Sequence, residues 1–330
     1  MAKAKINSIL ILQGWAMLWV VIGHAPLDSA TGNPPLVQWL YDFAYSFHMP
    51  LFVFVSGYLF QLTRISRSFT YKDMIVEKLI RLGIPYIVFT VIAMVAKIII
   101  PEAAKRQFSF SFTTFAEALI NPSDGPLNEL WFILMLLCLF ALYPLWRQGG
   151  IKGITIAVGC LLLYHLTPIF SPNILSASSL CRHAIYFSLG VLAARYRSDA
   201  LISTRNIVAV LITLAISTLS DWLMPWHIKP FEMTTALSLI ITSIGIANLA
   251  SHFIPQLFFS WRNYTYQIYL MGLFFQIAIK FIYKKGIVAN YPLCFVICIL
   301  AGLYMPVLTS LVAKKINNIF INTCLGLHTK

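Results

Sequence analysis

Apolar stretches of about 20 residues follow one another along almost the whole chain, and each is as long as a bilayer is thick. Ten windows meet or approach that length: 6–25, 37–60, 84–100, 129–147, 151–168, 183–195, 206–223, 234–251, 264–283 and 290–312. The sixth is short, and the second carries Asp42 and His48. Lipid offers a bare backbone no hydrogen-bond partner, so these windows predict helices rather than open strands. Composition agrees, with 59% of the 330 residues hydrophobic and only 11% charged, against about 25% charged in soluble domains. The expectation is an all-α, polytopic integral membrane protein of about ten transmembrane helices, with one membrane-embedded domain over 1–330 and no separate soluble domain.

The formal charge of +13 would suggest nucleic acid in a soluble protein, so where it sits decides its meaning. With the N-terminus in the cytoplasm and the spans alternating, about two thirds of the 24 Lys and Arg residues fall inside. Of the 11 acids only Asp73, Glu77 and Asp199 join them, so the whole net charge is cytoplasmic. That is the positive-inside bias of an inserted bundle, and anionic lipid accounts for it without nucleic acid. It predicts a bacterial inner (cytoplasmic) membrane protein, both termini cytoplasmic, with membrane lipids as partners. The run from Ile6 to Ala25 exceeds a usual signal-peptide core, so Asp28-Ser29-Ala30 reads as a poor cleavage site and the first helix as retained. The six cysteines lack CxxC or Cys/His spacing, which predicts neither a disulfide framework nor a metal site. The connection 101–128, with Phe108, Phe110, Phe112 and Phe115, reads as a segment lying on the bilayer interface or folding back over the bundle.

Ionisable groups inside a bilayer helix cost several kcal/mol unless they face protein, which makes them functional candidates. His24 is the only one in the first helix body, close to its predicted outer end. Gln13 precedes it by 11 residues, a rotation of three turns plus roughly 20°, so both lie on one face about 16 Å apart. His48 stands two residues before Pro50 in the second helix, at similar depth to His24, and two imidazoles there suit acid/base chemistry. The pair Ser56-Gly57 would let another helix approach closely. Lys78 and Arg81, three apart at the start of the third span, read either as interfacial anchors or as a phosphate grip. Glu129 with Trp131, and Arg182 with His183, are polar groups beside aromatic rings at predicted outer helix starts, a setting that can hold a sugar.

The segments QGWAMLWVVIGH, FHMPLFVFVSGYLF, EKLIRLGIPYIV, ELWFILMLL and YTYQIYLMG resemble, in order and spacing, the membrane-bound acyltransferase family 3 from residue 6 to about 272. The FHMPLF…SGYLF segment looks most like its fucose O-acetylase branch. Members O-acylate surface polysaccharides, lipopolysaccharide, peptidoglycan, macrolides and nodulation factors. The resemblance implies an O-acetyltransferase type of enzyme that acts on carbohydrate, with acetyl-CoA or another acyl-CoA as donor and no permanently bound cofactor. The implied acceptor is an exopolysaccharide, lipopolysaccharide or lipid-linked sugar. His24 matches the histidine of the family's first-helix motif, which implies the acyl-transferring or proton-accepting role. Gln13 occupies the place of that motif's arginine. Lys78-x-x-Arg81 stands for the family RxxR at the start of the third span, while Arg64 to Arg67 fits its letters in what reads as the preceding loop. Where the family often has IYLxH, this chain has Gly272 in place of histidine.

These readings combine into a membrane acyltransferase. His24 and His48 are its catalytic candidates, Gln13, Lys78 and Arg81 its donor-binding candidates, and Glu129, Trp131, Arg182 and His183 its acceptor-binding candidates. The rivals are a transporter or flippase for polysaccharide or lipid-linked glycan, because polar residues at membrane depth also mark translocation paths, and an inactive acyltransferase-like scaffold, which Gln13 suggests.

Overall fold

A computed structural model describes residues 2–27, 32–67, 69–100, 111–166, 174–196, 212, 215–216 and 229–327. Most of the expected span 206–223, Asp28-Ser29-Ala30, and Phe108 and Phe110 lie outside them. The protein is all-α: among the described residues there are helices and no strand. In order they are α1 (Ala2–Gly23), α2 (Pro35–Phe60), α3 (Tyr71–Lys78), α4 (Ile84–Ile99), α5 (Phe112–Ile120), α6 (Trp131–Ala141) and α7 (Tyr143–Trp146). Then come α8 (Gly150–Leu166), α9 (Ala177–Tyr196), α10 (Lys229–Phe253), α11 (Thr265–Lys284), α12 (Tyr291–Ile316) and α13 (Ile319–Cys324). Pro35–Ile65, Tyr71–Ile99, Glu232–Phe253, Thr265–Lys284 and Tyr291–Ile316 are long and apolar enough to cross a membrane, and Asn7–Gly23, Asn128–Ala141 and Gly150–His165 are shorter apolar helices. The chain is a multi-pass membrane protein.

Every expected window except 206–223 falls on a described helix, and three differ in extent for local reasons. The third span starts at Tyr71, because Thr70 caps α3 by accepting from the Asp73 backbone N–H, and a π turn at Leu79–Gly83 joins α3 to α4. The fourth window breaks at Leu142. Pro144 has no N–H to donate to Phe140 and its ring crowds that carbonyl, so α7 starts afresh. The sixth window lengthens to α9, whose polar first turns, with Ser178, Ser179 and Arg182, hide it from hydropathy.

The chain divides into two compact units, Met1–Leu59 with Gly190–Thr309, and Phe60–Leu189 with Ser310–Lys330. In the first, α1 packs along α10 and α11. Ser8 donates to Asn248, and Trp15 Nε1 donates to Ser243 Oγ at 3.2 Å. Met17, Val20 and Val21 of α1 pack with Ile268, Leu303 and Val307. The chain after α1 is pinned at Ala25 and Leu27, which pack with Val37, Cys294, Phe295 and Cys298. Between α10 and α11 the turn is tied by the buried Arg262, whose Nη1 donates to the carbonyls of Pro255 at 2.8 Å and Leu257 at 3.1 Å.

Close helix approach in this unit rests on glycine. The expected contact near Ser56-Gly57 exists, and Gly190 of α9 supplies the small residue, since a Cβ there would lie 2.1 Å from the Phe54 carbonyl oxygen and 2.9 Å from the Tyr58 nitrogen. Gly272 of α11 meets Gly302 of α12 in the same way, with a Cβ at Gly272 only 2.8 Å from the Gly302 oxygen. In the second unit an aromatic core joins Phe60, Phe140, Tyr143, Trp146 and Phe187, with the Phe60 and Phe140 rings 4.9 Å apart. Tyr86 of α4 donates to the Leu119 carbonyl at 2.8 Å and holds α5 in place, with Ala118 buried and Phe112 exposed.

Because backbone atoms rather than a flexible side chain bar the way at Gly190, Gly190→Leu is expected to cost at least about 2 kcal/mol, in the upper half of the usual range for overpacking or beyond it. Thermal unfolding of the detergent-solubilised protein checks it, and a midpoint within 1–2 °C of wild type would refute the contact.

Candidate active site

The two histidines singled out in the sequence meet at the C-terminal end of α1. The His24 nitrogen still donates to the Val20 carbonyl at 3.2 Å, so the helical turn carries through His24 and its side chain keeps the α1 register with Gln13. Both side chains are half-buried. Opposite them, α2 presents Ala44, Tyr45 and His48. The His24 and His48 rings stand edge to face at 6.4 Å, and Tyr45 contacts both, 5.9 Å from His24 and 4.9 Å from His48. Gly23 eases this approach, because a Cβ there would lie 3.3 Å from the Tyr45 ring and 3.4 Å from the Ala44 methyl, a tight fit that would need a small shift. His48 is 2% exposed, and its Nδ1 lies 2.5 Å from the Ala44 carbonyl oxygen. A carbonyl only accepts, so the proton of neutral His48 sits on Nδ1 and its Nε2 carries the lone pair.

From the other side α11 reaches the same end of α1. Gln276 Nε2 donates to the Val21 carbonyl at 2.9 Å, and Lys280 Nζ donates to the His24 carbonyl at 2.6 Å. These carbonyls lie in the last turn, where an α-helix leaves acceptors unpaired. Neither Gln276 nor Lys280 stands out in the sequence, since Lys280 falls within the third of basic residues that the alternating spans place outside and Gln276 carries no charge. Their spacing of four on an apolar helix was the available signal. Gln276 is 1% exposed and is wedged against Gly302, where a Cβ would lie 2.9 Å from its Nε2. Cys298 packs on the Gln276 carbonyl at 3.8 Å, a packing role like that of Cys294.

The second unit holds the cationic candidates. Lys78 lies over the Phe140 ring, with Nζ 4.5 Å from its centroid, and has Arg64, Arg81 and Glu77 as electrostatic neighbours. The π turn at Leu79–Gly83 carries Arg81 less far round from Lys78 than plain α-helical spacing would. Arg64 lies not in a loop but in a second π turn, Gln61–Ile65, that continues α2. Its Nη2 pairs with Glu77, and its guanidinium covers Phe69 at 4.7 Å. Tyr71 donates to the Ala141 carbonyl and Tyr143 to that of Phe69, each at 3.0 Å, which ties this corner to α6 and α7.

Also in that unit, Trp131 and His183 meet, their rings 5.2 Å apart. His183 is 8% exposed, and its Nδ1 donates to the Ser179 carbonyl at 2.8 Å. The buried Ser176 donates to the Trp131 carbonyl at 3.2 Å from a left-handed backbone conformation, φ 57°. Glu129 is half-buried in the short turn Asn128–Leu130 before α6, and Arg182 is exposed beside His183.

Several membrane-length helices, with two histidines brought together at the end of the first, describe a polytopic membrane protein with ionisable groups gathered inside it. The family model for the acyltransferase domain, acyltransferase family 3, matches residues 6–311, and the chain belongs to that family. No curated relative and no solved structure matches it. The protein is thus an acyltransferase of the membrane, and Gly272 gains a physical reading. No side chain fits where α11 meets the backbone of α12. Gly272→His, which would write the commoner family letter, is expected to destabilise the protein rather than raise its activity. Size-exclusion chromatography of the solubilised variant checks this, and a monodisperse, more active protein would refute it.

Proposed function

We propose that this acyltransferase moves an acyl group, acetyl in the simplest case, from acyl-CoA to a hydroxyl of a cell-surface or exported glycan. The observation that carries the reading is the histidine pair of His24 and His48 at the end of α1 in a chain of this family. His24 either accepts the acyl group or removes the proton of the attacking hydroxyl, and His48 holds its own lone pair on Nε2 to relay that proton. Arg64, Lys78 and Arg81 are the groups suited to the donor's phosphates, with arginine forks supplying paired donors. Trp131 and His183 offer a ring face and a polar edge of the kind that holds a sugar, with Glu129 and Arg182 nearby in sequence. The cytoplasmic excess of positive charge supports an inner-membrane location with both termini inside, where the donor is found.

The inactive-scaffold reading has one specific observation behind it, Gln13 in the place of the family arginine. If it holds, the wild type consumes no thioester and Gln13→Arg creates the activity. A transporter has no such observation in its favour.

His24→Ala is expected to lower acyl transfer by at least about 100-fold, the usual worth of a positioned acid or base. Paired changes at Arg64 and Lys78 are expected to raise KM for the donor more than they lower kcat. Thioester consumption by the purified protein measures both, and mass spectrometry of glycans with and without the protein reads the loss of one acyl mass. Full activity in His24→Ala would refute the reading.

A further inference from the structure

Lys280 carries a charge on a helix whose neighbours are apolar, and its ammonium is directed at a neutral group, the carbonyl of His24. A lysine that only served the lipid boundary would extend its head toward water. Lys280 is half-buried, four residues from Gln276, and the two side chains take acceptors three residues apart at the end of α1, at Val21 and His24. Gln276 shares the donor role without the charge. Its own position is set by Gly302, so α12 fixes the height of this clamp along α1. The Lys280 ammonium also acts electrostatically on the His24 side chain.

We propose that Lys280 is a positioning residue for His24: its donor bond fixes the end of α1 so that the imidazole stays against Tyr45 and His48, and its ammonium places positive charge where negative charge develops during acyl transfer. This rests on the reading of His24 as the transferring histidine. When a lone pair adds to the acyl carbon of a thioester, the carbonyl π pair moves onto oxygen. That oxygen stays anionic until the pair returns and the carbon–sulfur bond breaks with thiolate as leaving group. A cation fixed at this end of α1 lowers that anionic state and is not needed to bind the donor.

A plain helix cap has a different signature. It would be replaced by any side chain that donates to the His24 carbonyl, whereas the proposed role needs charge as well. Diethyl pyrocarbonate acylates imidazole through a similar anionic tetrahedral state and needs neither donor nor acceptor substrate, so its reaction can be followed on the purified full chain by peptide mass spectrometry. The expected result is at least tenfold slower modification of His24 in Lys280→Gln and Lys280→Met, recovery to within threefold of wild type in Lys280→Arg, and a smaller effect in Gln276→Ala. If thioester turnover is measurable, kcat falls similarly while the donor KM moves by less than twofold.

Buried His48 serves as the fold reporter in the same samples, because it becomes reactive if the protein opens. Unchanged His24 modification in Lys280→Gln overturns the proposal, as does equal recovery by glutamine and arginine. Loss of the fold in both uncharged variants, with Gln276→Ala intact, assigns the ammonium to the scaffold and overturns it too. A wild type that consumes no thioester but shows the expected reagent pattern would refute the proposed function and leave the placement of Lys280 standing.

Discussion

A bilayer interior supplies no water, so each backbone acceptor at membrane depth must find its partner inside the protein. The end of α1 that carries His24 meets that constraint. Two of its last carbonyls, at Val21 and His24, accept from Gln276 and Lys280 of a single neighbouring helix. The same requirement sets the state of His48, which satisfies its own buried Nδ1–H on the Ala44 carbonyl and so keeps its lone pair on Nε2.

Glycine makes this arrangement close enough to work. Gly23 admits Tyr45 to the side of His24, and the contact of Gly272 with Gly302 brings α12 near enough to hold Gln276. Between apolar helices in lipid there is little hydrophobic drive for association, and small residues that allow backbone contact take its place. A side chain at Gly302 would therefore press on Gln276 and, through it, on the hold on the Val21 carbonyl.

Much of the fold was legible because the rule for crossing a membrane is a rule about length and apolarity. The windows at 37–60, 234–251, 264–283 and 290–312 coincide with long helices for that reason. Extents were less legible where local chemistry overrode hydropathy, as with the break before Pro144 and the polar opening of α9. In the candidate site, His24 and His48 stood out because an imidazole among apolar residues is conspicuous. Lys280 did not, since a count of charges by side treats every basic residue alike and has no term for what an ammonium touches. Arg64 was set aside as loop because a π turn has no simple sequence signature, and Gly272 read as a missing histidine until its neighbour was known.

The two π turns, at Gln61–Ile65 and Leu79–Gly83, have a further consequence. A π turn amounts to one residue more than an α-helical turn would hold, so each is a place where the chain can lose a residue and still remain a helix. Such a deletion would close the bulge and leave the helical segments on either side close to their original phase, while the residues inside the turn change direction. Arg64 and Arg81 each sit inside one of these turns, so the direction of their charge is written in residue count as well as in residue type. Relatives that differ here by a single insertion or deletion would point the same arginine at a different neighbour, a change that comparison by residue identity alone would not register.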